Sequence, residues 1–137
     1  MQTVTATKSN IEIAQEGFAN FGSGNIAAII DTCTENVNWA SWYHPQVPYS
    51  TTFKGKSGVA KFFSTLAETV DYTAFEPKEF YATGNKVFAK VFHAATVKAT
   101  GRSFAHDTLM EFTIENEKIS AFFAYVDSAD ELQAFTK

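Results

Sequence analysis

The chain has 137 residues, of which 45% are hydrophobic and 15% aromatic, with 14 Phe. That length suits one domain, residues 1–137, with a core needing no metal or disulfide staple, and that apolar content excludes disorder. A net charge of −4 and a pI of about 5.3 leave no basic face for nucleic acid or an anionic membrane.

Residues 1–8 read as a flexible tail without the apolar core of a secretory signal. No apolar run approaches the roughly 20 residues of a membrane span. Ser9 to Phe21 reads as a helix, with Ser9 and Glu12 spaced as a capping box and Ile11, Ala14, Phe18 and Phe21 on one stripe. Gly22 and Gly24 end it. Asn25 caps a second short helix carrying Ile26, Ile29 and Ile30, and Cys33 falls in that helix as an inert core thiol. With a single cysteine no internal disulfide is possible, and a cytoplasmic location is expected.

"NVNWASWY" is rich in strand formers and runs into the loop "HPQVPYSTTFKGKSG". Trp39, Trp42, Tyr43 and His44 cluster before that loop, where they could cap a flat ligand beneath a lid or simply plug the core. Ser57 caps a third helix, roughly Ser57 to Thr69, with Val59, Phe62, Phe63 and Leu66 inward and Phe62 facing the pocket. Tyr72 to Ala82 is extended, and Pro77 places it at a sheet edge or a bulge. "TGNK" turns it into a three-stranded meander from Val87 to Asp127. Ser128 and Glu131 form a second capping box at a short terminal helix with Leu132 and Phe135.

The meander's register follows from its turns. "TGRS" reads as a two-residue loop pairing Thr100 with Ser103, and "ENEK" as one pairing Glu115 with Lys118. Counting across both gives an inner face of four rows. They are Val97, His106 and Asp127; Ala95, Thr108 and Tyr125; His93, Met110 and Phe123; and Val91, Phe112 and Ala121. The expected catalytic group is therefore His106 with Asp127, either of them the base, assisted by Tyr125 as a donor to an oxyanion. His93, Thr108, Met110 and Phe123 belong to the ligand-binding wall, although His93 also reads as an ordinary core histidine. The outer face, with Phe88, Phe92, Leu109, Phe122 and Ala124, is too aromatic for open solvent and predicts a homodimer.

No cofactor is called for. A metal site is not expected, because His93 and His106 stand a row diagonal apart with no third ligand in view. "GKSG" lacks the preceding strand of a phosphate-binding loop.

The pieces "FKGKSGVAKFFSTLAE", "FEPKEFYATGNKVFAKV", "ATGRSF" and "EFTIENEKISAFFAYVDSADELQAF" together resemble the SnoaL-like branch of the NTF2-like superfamily, from about Ile11 to Phe135. The resemblance implies an α+β cone. In it a strongly curved, mostly antiparallel sheet wraps around three N-terminal helices, with a short C-terminal helix and a deep cavity, commonly in a dimer. It places Asp127 at the acid of a Tyr-x-Asp pattern that many relatives share. The chain departs from the pattern at Met110, often His, at Asn116-Glu117, usually Asp-Gly, and at Asn38, Trp39 and Ala40, where the acid of ketosteroid isomerases is missing. Relatives include polyketide cyclases, ketosteroid isomerases, epoxide hydrolases and proteins with only a binding role, so the fold does not fix the function. The expectations are a cofactor-free cyclase, isomerase or hydrolase on a small apolar, cyclic substrate; a binding module for a hydrophobic ligand; or a dimeric scaffold.

Overall fold

The computed structural model describes residues 8–41 and 44–136; Trp42 and Tyr43, expected at a lid, and the first seven residues lie outside them. Helix α1 spans Asn10–Gly22. The Ser9 hydroxyl accepts from the Glu12 N–H, and the Glu12 carboxylate accepts from the Ser9 N–H, both at 3.2 Å, so the capping box forms as its spacing predicts. Helix α2, Ile26–Thr32, starts at the Asn25 cap. Cys33 is not helical but opens strand β1, Cys33–Ser41; it is fully buried and its thiol donates to the Ile29 carbonyl at 3.4 Å.

Strand β2, Phe53–Lys54, leads directly into helix α3, Gly55–Thr69, so Ser57 lies within the first turn and the cap position is Lys54, without a side-chain bond. The early start fits a close approach of Gly58, where a Cβ would stand 2.9 Å from the Phe53 backbone. Then come β3, Val70–Thr83; β4, Lys86–Val97; β5, Ser103–Glu115; β6, Lys118–Tyr125; and helix α4, Ser128–Phe135. One six-stranded curved sheet results, in the order β2-β1-β6-β5-β4-β3, antiparallel except between β1 and β6. Helices α1 to α3 pack against it and each other in the α+β cone that the resemblance implies. Pro77 is on the edge strand β3, and the register shifts beside it. No helix among the described residues is long and apolar enough to cross a membrane.

The meander forms, with two changes of register. The β4–β5 connection is five residues, Lys98–Arg102, rather than two: the Lys98 N–H is taken by the Thr69 carbonyl at 3.0 Å, and the Val97 N–H by the Arg102 carbonyl at 2.8 Å. The two strands therefore slide by four positions. Thr96 opposes Ser103, and His93 opposes His106 directly. An even slide keeps every side chain on its expected face.

The second change does not. Glu115 pairs with Lys118 and Ile114 with Ile119 as expected, with Asn116 and Glu117 at φ 51° and 63°. Thr113 then pairs with Ala121, which leaves Ser120 as the extra residue of a β-bulge. Beyond it β6 is turned over. Phe122 and Ala124 point into the core opposite Phe112 and Met110, while Ala121, Phe123 and Tyr125 face outward. Phe122 and Ala124 are thus removed from the expected dimer face, and Phe123 and Tyr125 from the expected pocket wall.

Candidate functional site

Strand β6 ends at Tyr125, before it can reach His106. The chain leaves the sheet there, and α4 lies across β5 and β4 in place of another strand. Asp127 becomes the cap of α4: it is exposed, and its carboxylate accepts the Asp130 N–H at 3.0 Å. The cap is one residue earlier than Ser128, which turns Glu131 inward instead of back toward the helix start. The pair of His106 with Asp127 is not formed. Its place is taken by two other acids.

His93 and His106, opposed on the inner face, bring their Nε2 atoms to 2.9 Å. Glu131 Oε1 stands 3.3 Å from the first and 3.4 Å from the second. Glu131 Oε2 accepts from the Tyr49 hydroxyl at 3.1 Å. His106 Nδ1 meets Asp130 Oδ2 at 2.8 Å, and that oxygen also accepts the Ala105 N–H at 3.0 Å. His93 is 1% and Glu131 0% exposed. Phe104, Tyr72 and Phe75 pack around the His93 ring.

The chemistry follows from the partners. A carboxylate on Nδ1 makes that nitrogen of His106 the donor. Two Nε2 atoms in contact must then share a proton or a cation, since two lone pairs repel. Burial pulls the His106 pKa down, but the Glu131 and Asp130 carboxylates beside its two ring nitrogens outweigh burial and hold it above the ordinary imidazole value. Burial, reinforced by the Glu131 charge, pushes the Tyr72 phenol far up, so it stays protonated. Glu131 Oε1 and His93 Nδ1 are buried without a hydrogen-bond partner among the described residues, as are Trp39 Nε1 and Ser41 Oγ.

A cavity of about 60 Å³ lies between the sheet and the helices, walled by rings from α1, α3, β3 and β6. Trp39, Phe62, His93 and Met110 line it, as do Ser41 and Tyr72. His93 is thus the residue that belongs both to the cavity wall and to the polar cluster. Thr108 is buried beside the site but bonds the Tyr125 carbonyl at 2.9 Å. His44 is on an exposed turn, bonded to the Gln46 N–H. Tyr125 is 46% exposed on the outer face and donates to Glu111 at 3.0 Å. Phe123 lies beside it, in a shallow groove of the same face.

Asp130, Glu131 and Tyr49 were not evident from the sequence. Ser128 and Glu131 have capping-box spacing, which supplied a complete surface explanation for Glu131. The available signal was that Glu131 stands three and four residues before Ala134 and Phe135, an acid on the helix's apolar stripe. Both grounds against a metal site also fall: the histidines are directly opposed, and Glu131 is a third donor, with all three ligand atoms within 4.8 Å of one another.

The family model for a SnoaL-like domain matches residues 14–122. Among solved structures, the chain is similar to an NTF2-like protein of Burkholderia xenovorans, with 26% identity, a TM-score of 0.84, and coverage of 96% of this chain and 98% of that one. A protein of Mesorhizobium loti provisionally assigned as a SnoaL-like polyketide cyclase has 18% identity and a TM-score of 0.73, over 87% of this chain and 100% of its own. One of Bacillus subtilis provisionally assigned as an isomerase has 17% identity and a TM-score of 0.78, over 93% and 96%. Among curated proteins, none matches the chain.

Proposed function

The chain belongs to the SnoaL-like domain family, and from that premise we propose that it takes a small, mostly apolar molecule into its cone and acts on one polar group of that molecule at His93. The observation that carries this is the double position of His93, on the wall of an aromatic cavity and in contact with His106 and Glu131. An imidazole held between a buried carboxylate and a second imidazole can keep or pass a proton in a water-poor site, which is what isomerase- or cyclase-type chemistry beside a carbonyl needs. His106 and Asp130 are its polar support, and Asp127 has no part in it.

The test is to titrate the protein with small cyclic ketones and phenols, following Trp fluorescence, and to follow deuterium exchange beside the ketone carbonyl. Binding with exchange in the native chain, and binding without exchange in His93→Gln, is the expected result. Absence of binding by every probe would end the reading. The cavity is small beside the several hundred Å³ of usual ligand sites, which favours a second reading, a binding module for a very small ligand. Equal probe behaviour in His93→Gln and the native chain would decide for it.

The outer face, corrected to Phe88, Phe92, Leu109, Phe123 and Tyr125, is proposed to pair with a second copy of the chain. Light scattering should give twice the chain mass, and Leu109→Arg should return it to one.

A further inference from the structure

We propose that His93, His106 and Glu131 are the ligands of a divalent first-row transition metal ion. The inference rests on the cluster and goes beyond the pocket reading. Two imidazole nitrogens and one carboxylate oxygen converge at separations of 2.9, 3.3 and 3.4 Å. With metal–ligand bonds of about 2.1 Å, such separations subtend angles of roughly 90° to 110° at a common centre, within the range of one face of an octahedron or tetrahedron.

A proton between the two Nε2 atoms satisfies only those two. It leaves Glu131 Oε1 buried and unbonded, as it stands among the described residues. It also leaves one negative charge uncompensated, since Asp130 and Glu131 are both ion-paired only with histidines among the described residues. A buried carboxylate without compensation is costly. A divalent cation fills all three donors and balances both acids. The outer contacts are those a ligand set needs: Asp130 on the far nitrogen of His106, itself held by the Ala105 N–H, and Tyr49 on the far oxygen of Glu131. The imidazole donors select zinc, iron, cobalt or nickel over calcium and magnesium, which prefer oxygen.

The experiment uses the full chain, stripped with a chelator and dialysed against Zn²⁺ or Co²⁺. The expected results are one equivalent of metal per chain by mass spectrometry, visible Co²⁺ d–d bands, and a higher thermal midpoint with metal. Glu131→Gln, which can keep the Tyr49 bond, and His93→Ala should lose stoichiometric binding. Asp130→Asn, a positioning change, should weaken it roughly 10- to 100-fold, and Asp107→Asn on the outer face should leave it unchanged. If a ligand variant does not fold, the stoichiometry, spectrum and thermal shift of the native chain still decide. No equivalent bound with no thermal shift, or full binding in both ligand variants, overturns the proposal. A chain that takes up no metal on dialysis yet binds a ketone or phenol probe overturns this inference and leaves the pocket reading; a metal-loaded chain that takes no probe supports this inference and ends that reading.

Discussion

Tyr49 reaches Glu131 from the loop before β2, and its hydroxyl satisfies one buried carboxylate oxygen. Tyr49→Phe leaves that oxygen without this donor, so urea denaturation should show a loss of about 1–3 kcal/mol. Asp127 has a simpler duty at the α4 cap. Asp127→Ala should cost roughly 1 kcal/mol and Asp127→Asn almost nothing, because Asn caps as well as Asp; equal losses in the two would contradict the assignment. Burial pushes the Cys33 thiol up from 9.0 to about 11. The unfolded chain releases this proton from about pH 9 while the folded chain keeps it, so the contribution is intact below that window and falls as pH rises through it. Cys33→Ala should therefore lose less stability between pH 8 and 10.5 than the native chain, and Cys33 should resist alkylation at pH 8 until denatured. At this scale the sequence marks candidates: His106 for chemistry and His93 for the pocket wall. It does not say which acid meets them, because a one-residue shift of a helix cap decides whether Glu131 points to solvent or to the core.

The ENEK turn shows how much of an element is local. Asn116 and Glu117 both sit at positive φ, as a two-residue hairpin loop of this hand requires, and their pairing was countable from the sequence. Glu117 is strained there, so Glu117→Gly should raise the unfolding free energy in urea by about 1 kcal/mol; a loss of stability would mean that its bond to the Lys8 N–H outweighs the strain. Helices α1 and α2 were equally legible, since Ser9, Glu12 and Asn25 are local capping signals. The bulge at Ser120 and the five-residue loop after Val97 were not. The loop depends on distant partners. Lys98 is bound by Thr69 and Thr100 by Ala134, contacts that no pattern within the hairpin announces. One inserted residue moved Asp127 away from the inner face, whereas a slide of four moved His93 onto His106.

Across the whole molecule, α4 is the piece that completes both core and cluster. It supplies buried Glu131 and Ala134 and sets Phe135 against Tyr49. A chain ending at Val126 should lose its cooperative unfolding transition by circular dichroism, because His93, Phe104 and Tyr49 lose their cover together; a sharp transition would show that α4 is dispensable to the core. Alternation, caps and the order of segments made the cone legible, whereas the small cavity volume depended on how the inward Phe rings pack together. The parallel pairing of β1 with β6 has a consequence of its own. Trp39 stacks on Phe122 with ring centres 4.2 Å apart, across a closed loop of roughly 80 residues, whose ends cost about 4 kcal/mol of chain entropy to bring together. Neighbouring hairpins such as β4–β5 need no such closure and can form early. The seam between the first and last long strands is therefore expected to close late in folding, and the helix bearing Asp130 and Glu131 follows directly behind it in the chain. Tyr49 reaches Glu131 only when the two halves of the chain have met, so that bond would report the final step of folding.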